Sequence, residues 1–218
     1  MDSMKTALSD FKTYVKNSKC SFGKFHLEVC EDEDDEEEGI LNLKFELKQT
    51  LSSLDKQISV TDFSIRCNGN ESVIIDVLPF FKAGTLTKVE LDMRGCGDNL
   101  MELDQWNQVK EVEVRSHLPI AQLLHCNKFD IIINEFSLVE MKTITETAIR
   151  RLEQFDSFTV RSYSFVELAD IESYMETEFP IVRNSERHRY RKIQEANCYL
   201  RLYFDNWRLT IDKTLVIE

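Results

Sequence analysis

Apolar residues recur along this chain in one short pattern: apolar, any two, apolar, any one, apolar. Six copies can be traced, at Phe22, Phe25, Leu27; Val60, Phe63, Ile65; Leu86, Val89, Leu91; Val109, Val112, Val114; Cys126, Phe129, Ile131; and Phe155, Phe158, Val160. The last two positions of each copy alternate, which puts both on one face of a strand and the residue between them on the other. Each copy therefore predicts a short strand. First positions fall at 22, 60, 86, 109, 126 and 155, giving gaps of 38, 26, 23, 17 and 29, mostly near the roughly 20–29 residues of leucine-rich repeats. Residues 31 to 38, EDEDDEEE, lengthen the first gap, and removing these eight leaves 30. The gap of 17 is shorter than a full repeat.

Between these strands the period changes from two to three and four. Ile40, Leu43, Leu47, Leu51 and Leu54 form one stripe of a helix over 40–54, and Leu138, Met141, Ile144, Ala148 and Leu152 form another over 138–155. Ser137 and Glu140 predict a capping box for the second. A shorter helix over 72–81 meets Pro79, where a proline kinks or ends a helix, and Lys82 to Thr85 turn into the third strand. Helical crossovers suit parallel neighbouring strands. A stacked array needs terminal caps. Met4, Leu8, Phe11 and Val15 supply an amphipathic helix at one end. At the other, Cys198, Leu200, Leu202 and Phe204 run to a turn at Asp205 and Asn206, and Trp207, Leu209 and Ile211 return, predicting a hairpin over 198–217. The expected fold class is α/β: a leucine-rich-repeat-like curved solenoid of short parallel strands and helices, with an N-terminal helix cap and a C-terminal β-hairpin cap.

Charge narrows the partners. Lys and Arg number 27 against 39 Asp and Glu, for a formal charge of −12, which argues against a general nucleic-acid binder. Residues 31–38 supply eight of those negative charges and read as a solvated loop insertion. The opposite contrast lies at 183–192, RNSERHRYRK, where Arg183, Arg187, Arg189, Arg191 and Lys192 face one acid, Glu186. This segment reads as a linker, with nucleic-acid or anion binding as the alternative. No run approaches the roughly 18–20 apolar residues of a membrane span, and the first residues carry no signal core. The expectation is a cytoplasmic, or nuclear, protein with no membrane partner. Six scattered cysteines form no Cys-x-x-Cys pair and read as reduced packing thiols.

The candidate chemistry is sparse. His26, His117, His125 and His188 stand in no metal-binding spacing. His125 beside Cys126 is the nearest approach to a base and nucleophile, but neighbours in regular structure point apart. Gly95 and Gly97 lack the third glycine of a dinucleotide loop. The sequence therefore predicts no enzyme, no catalytic residue, no metal and no cofactor.

Several blocks resemble a known family over almost the whole chain. ISVTDFSIR (58–66), VLPFFKAGTLTKVEL (77–91), QWNQVKEVEV (105–114) and KFDIIINEFSLVEM (128–141), with the opening ALSDFKTYVKNSK (7–19), are similar in order and spacing to the nematode FTH domain, the F-box-associated domain of a large Caenorhabditis family. The resemblance implies a single FTH-like domain over 1–218. It also implies a non-catalytic protein-interaction role, like the target-recognition part of F-box ubiquitin-ligase adaptors. Domain-like sequence begins by Ala7, which leaves too few residues for an F-box, so docking to Skp1 is not expected and the target protein is unnamed. Strand residues facing away from the core would line the concave surface of a solenoid, its usual contact face. The candidates for partner contact are Arg66, Glu90, Asp92, Glu113, Arg115, Ile132 and Arg161, within a face that also carries His26, Glu28, Ser64, Asp130 and Thr159.

Overall fold

All six copies of the apolar pattern become strands in the computed structural model. It describes residues 3–17, 21–28, 36–67, 72–93, 98–115, 118–180, 188–193, 198–205 and 207–215. The chain is mixed α/β and divides into two compact units, residues 1–110 and 111–218. Among the described residues there are nine strands, three in the first unit and six in the second.

In the first unit, helix α1 (Ser3–Asn17) leads to β1 (Ser21–Glu28), α2 (Glu36–Ser52) crosses to β2 (Ser59–Cys67), and α3 (Ser72–Val77) with a 3-10 turn at Leu78–Phe80 crosses to β3 (Lys88–Met93). A 3-10 turn at Asp98–Glu102 and the short α4 (Asp104–Asn107) follow. The three strands are parallel and in register, so that Phe25 lies beside Phe63 and Phe63 beside Val89, while Leu27, Ile65 and Leu91 form the next row. Phe63, Val89, Ile65 and Leu91 are fully buried. Phe81 closes over the first row, 5.3 Å from the Phe25 ring and 5.4 Å from that of Phe63. Helix α1 lays Phe11 against Phe22 and Phe25. Pro79 has no N–H to lose in the first turn of its 3-10 segment, so the helix ends at Val77 rather than at Phe81. Gly84 takes φ +81° in the turn before β3, a conformation that favours glycine.

In the second unit, β4 (Glu111–Val114), β5 (Lys128–Phe136) and β6 (Ser157–Phe165) are again parallel. Val112, Phe129 and Phe158 form one buried row, and Val114, Ile131 and Val160 the next. Phe129 and Phe158 stack 4.2 Å apart at 11°. The crossover from β4 to β5 holds a 3-10 turn, Ile120–Leu123, and no α-helix among its described residues, which accounts for the short gap of 17. Arg151 ties that turn down by donating to the carbonyls of Leu124 and Cys126 at 2.5 and 2.8 Å. Helix α5 (Leu138–Arg150) carries the expected capping box. It stops five residues before Phe155, because residues 151–154 turn the chain back into β6.

Helix α6 (Leu168–Glu178) precedes an antiparallel meander, β7 (His188–Ile193), β8 (Cys198–Phe204) and β9 (Arg208–Leu215). The predicted hairpin is β8–β9, and it attaches by β9 to the free side of β6, placing Ile211 beside Phe158 and Leu209 beside Val160. Two expectations about charged segments change. Glu36, Glu37 and Glu38 are not loop but the opening of α2, since glutamate is a good helix former and negative charge is favoured at a helix N-terminus; residues 31–35 lie outside the described residues. Likewise 188–192 is not linker but strand β7, because alternating Arg189 and Arg191 find acids on α6; Arg183 and Arg187 lie outside the described residues. No helix among the described residues is long and apolar enough to cross a membrane.

Core stacking should dominate the stability of the second unit, with capping a smaller contribution. Phe129→Ala is expected to cost about 3–5 kcal/mol and Ser137→Ala about 1 kcal/mol, read from urea unfolding of the full chain. Similar shifts for the two would contradict the assigned core.

Candidate interaction surface

Parallel register aligns the polar faces of the strands as well as the apolar ones. In the first unit three cross-strand rows result: Lys24, Asp62, Lys88; His26, Ser64, Glu90; and Glu28, Arg66, Asp92. Arg66 is held between two acids, its Nη1 donating to Glu28 at 3.2 Å and its Nε to Asp92 at 3.3 Å. The Glu28 hydrogen bond, then the charges of Glu28 and Asp92, push the guanidinium pKa further up. Ser64 was expected on an open surface but is 5% exposed, closed in by His26, whose Nδ1 lies 3.1 Å from the hydroxyl. Arg66, Glu90 and Asp92 thus share one face, where Arg66 is engaged within the unit.

Glu113, Arg115, Ile132 and Arg161 all fall in the second unit. Here Glu113 lies beside Asp130 and Asp130 beside Thr159, while Ile132, Arg161 and Arg208 form the adjoining row. Arg161 donates to Asp130 Oδ2 at 2.5 Å, and Arg115 sits 3.8 Å from Glu113. Burial raises the Asp130 pKa, Glu113 raises it further, and together they outweigh the cations Arg161, Arg208 and Arg115. Its Oδ1 is buried with no hydrogen-bond partner among the described residues. Burial and one unsatisfied oxygen explain why a short ion pair fails to lower this carboxyl.

Arg161 also lines a cavity of about 320 Å³ beside β6, together with Ile132, Ser162, Tyr163 and Trp207. Tyr163 is 79% exposed and Trp207 53%. The sequence places Trp207 in the returning hairpin strand with Leu209 and Ile211. Instead it lies in the turn before β9, where its carbonyl accepts from the Ser162 N–H and the Arg208 guanidinium lies 5.7 Å from its ring centroid. That turn is built by Asp205. Its Oδ1 accepts from the N–H groups of Trp207 and Arg208, and its Oδ2 from the Tyr203 hydroxyl at 2.8 Å. Burial pushes the Asp205 pKa up, but these hydrogen bonds together with Arg208 hold it below the usual carboxylate range. Tyr163 was missed although its position was legible, since it continues the Thr159, Arg161 alternation of β6.

The remaining candidates are dispersed. Arg189 pairs with Glu176 at 3.6 Å and Arg191 with Glu178 at 2.6 Å, leaving Lys192 as the exposed cation of β7. These partners are on α6. His125 Nε2 approaches Cys126 Sγ to 3.6 Å, closer than regular structure would bring them, because the two lie in the turn after Leu123. Burial pushes the Cys126 thiol up to about 12, so it is protonated at neutral pH.

A family model described as the FTH domain matches residues 43–175. The match takes in more than half of the sequence, from α2 to α6, and the chain belongs to the FTH domain family. No curated protein matches it, and no solved structure does.

Asp130 gives a pH test. Its folded pKa lies above the unfolded value, so ionisation costs stability above the folded pKa, and that cost disappears once the pH falls below both values. Asp130→Asn should be neutral or stabilising at pH 7, with the difference from the parent closing on acidification. A loss beyond about 2 kcal/mol at pH 7 would show that the Arg161 ion pair dominates instead.

Proposed function

We propose that this chain is a non-catalytic protein-interaction domain that binds its target through the Ile132, Arg161, Tyr163 and Trp207 surface of the second unit. The carrying observation is the exposure of two large aromatic side chains beside a pocket walled by Ile132 and by an arginine already neutralised by Asp130. Tryptophan, tyrosine and arginine dominate binding energy at protein interfaces, because each offers large area with few rotamers or a planar donor fork. Membership of the FTH family is compatible with such a role. The pairing of Arg189 and Arg191 with α6 supports this reading over anion or nucleic-acid binding through β7.

Finer readings belong to the same proposal. The strand–crossover repetition within each unit supports a leucine-rich-repeat-like design, with α1 and the β8–β9 hairpin as its caps, working as one FTH domain. The chain works in the cytoplasm or nucleus, and its target is selected as the family resemblance implies for F-box adaptors. None of the contacts proposed is assigned to Skp1.

Affinity purification with the full chain, quantified by mass spectrometry, tests this. Tyr163→Ala combined with Trp207→Ala should weaken capture of the principal partner by about 2 kcal/mol or more, about 30-fold, without altering circular dichroism. Arg66→Ala should leave capture unchanged, since Arg66 is held by Glu28 and Asp92. Capture that survives the double variant and falls with Arg66→Ala would move the site to the first unit.

A further inference from the structure

Beyond the pocket, β5 and β6 run on through the neighbours Glu135 and Ser164, then Phe136 and Phe165. Phe165 packs between Phe136 and Phe204. Around these strand ends three more apolar side chains are exposed: Val139 in the first turn of α5, Val166 after β6, and Leu168 at the start of α6. The Val166 N–H donates to the Phe136 carbonyl, which ties the two strand ends together. With Tyr163 and Trp207, five of the large apolar residues exposed among the described residues belong to the second unit, and four of them lie along the β5–β6–α6 stretch.

The charge beside this patch is one-sided. Glu135, Glu167 and Asp170 are exposed and have no cationic partner among the described residues. The nearby cations are engaged: Arg161 with Asp130, Arg208 with Asp205 and over the Tyr203 ring, and Lys142 over the Tyr174 ring. The chain therefore offers an apolar pocket and patch bordered by unneutralised carboxylates. An acidic target segment would meet repulsion here, whereas a cationic one would gain orientation and encounter rate.

We infer that the second unit binds a basic, amphipathic segment of its target protein, with one large apolar side chain in the Ile132, Tyr163, Trp207 pocket and lysine or arginine against Glu135, Glu167 and Asp170. This rests on the proposed interaction function and adds the chemistry of the partner. The matching order of features is an apolar anchor, then further apolar residues over Val139, Val166 and Leu168, with cations at their margin.

The test selects a phage-displayed library of random 12-residue peptides on the full chain, then measures synthetic copies of the winners by fluorescence polarisation. Expected winners combine aromatic or aliphatic residues with two or more lysines or arginines. Their affinity should fall at least about tenfold in Trp207→Ala and at least about tenfold in Glu135→Lys with Glu167→Lys, and by less in the milder Glu135→Gln with Glu167→Gln. Exchanging peptide lysines for glutamates should restore binding to the charge-reversed variant. Neutral or acidic winners that need Trp207 but ignore both Glu135/Glu167 pairs would overturn the inference and leave the pocket's role standing. A selection that yields no Trp207-dependent peptide would overturn both.

Discussion

Register between parallel strands is the constraint on which the rest depends. Because successive side chains alternate, a slip of one residue would move Phe129 and Ile131 out of the core and bring Asp130 and Ile132 into it. The stack of Phe129 on Phe158, and the row of Phe25, Phe63 and Val89 in the first unit, make such a slip costly. Fixing the apolar rows also fixes the polar ones. Arg66 reaches Glu28 and Asp92, and Arg161 lies within one row of Asp130, because aromatic packing on the other face leaves no other alignment.

The two polar faces are chemically unlike. On the first unit charges alternate across neighbouring strands, and in the Glu28, Arg66, Asp92 row both acids pair with the arginine between them. On the second unit two carboxylates, Glu113 and Asp130, stand side by side, one oxygen of Asp130 goes unsatisfied, and aromatic rings crowd the strand ends. A face that satisfies itself gains little by meeting a partner. One with exposed aromatic rings beside a pocket gains more, which is why the candidate site falls where it does.

Much of this was legible in the sequence, for local reasons. The six strands, the stripe of α5 and its capping box follow from periods of two and 3.6 and from Ser137 and Glu140. What stayed hidden depended on partners distant in sequence. Nothing local marks 188–192 as a strand, because its arginines need Glu176 and Glu178 to make sense. Trp207 fits the alternation of Leu209 and Ile211, yet the Asp205 turn rotates it out of that pattern. Ser64 meets a histidine 38 residues earlier. Of the partner-contact candidates, Ile132 and Arg161 line the cavity, but Tyr163 and Trp207 beside them needed the geometry.

The thiol of Cys126 has a practical consequence. It is fully buried and protonated, with Arg151 fastening the carbonyl of the same residue. An alkylating reagent can reach it only when the β4–β5 connection comes apart, so the rate of its modification is a clock for the breathing of the second unit. Cysteine, chosen here as a small apolar filler, doubles as a native reporter group at the heart of the fold.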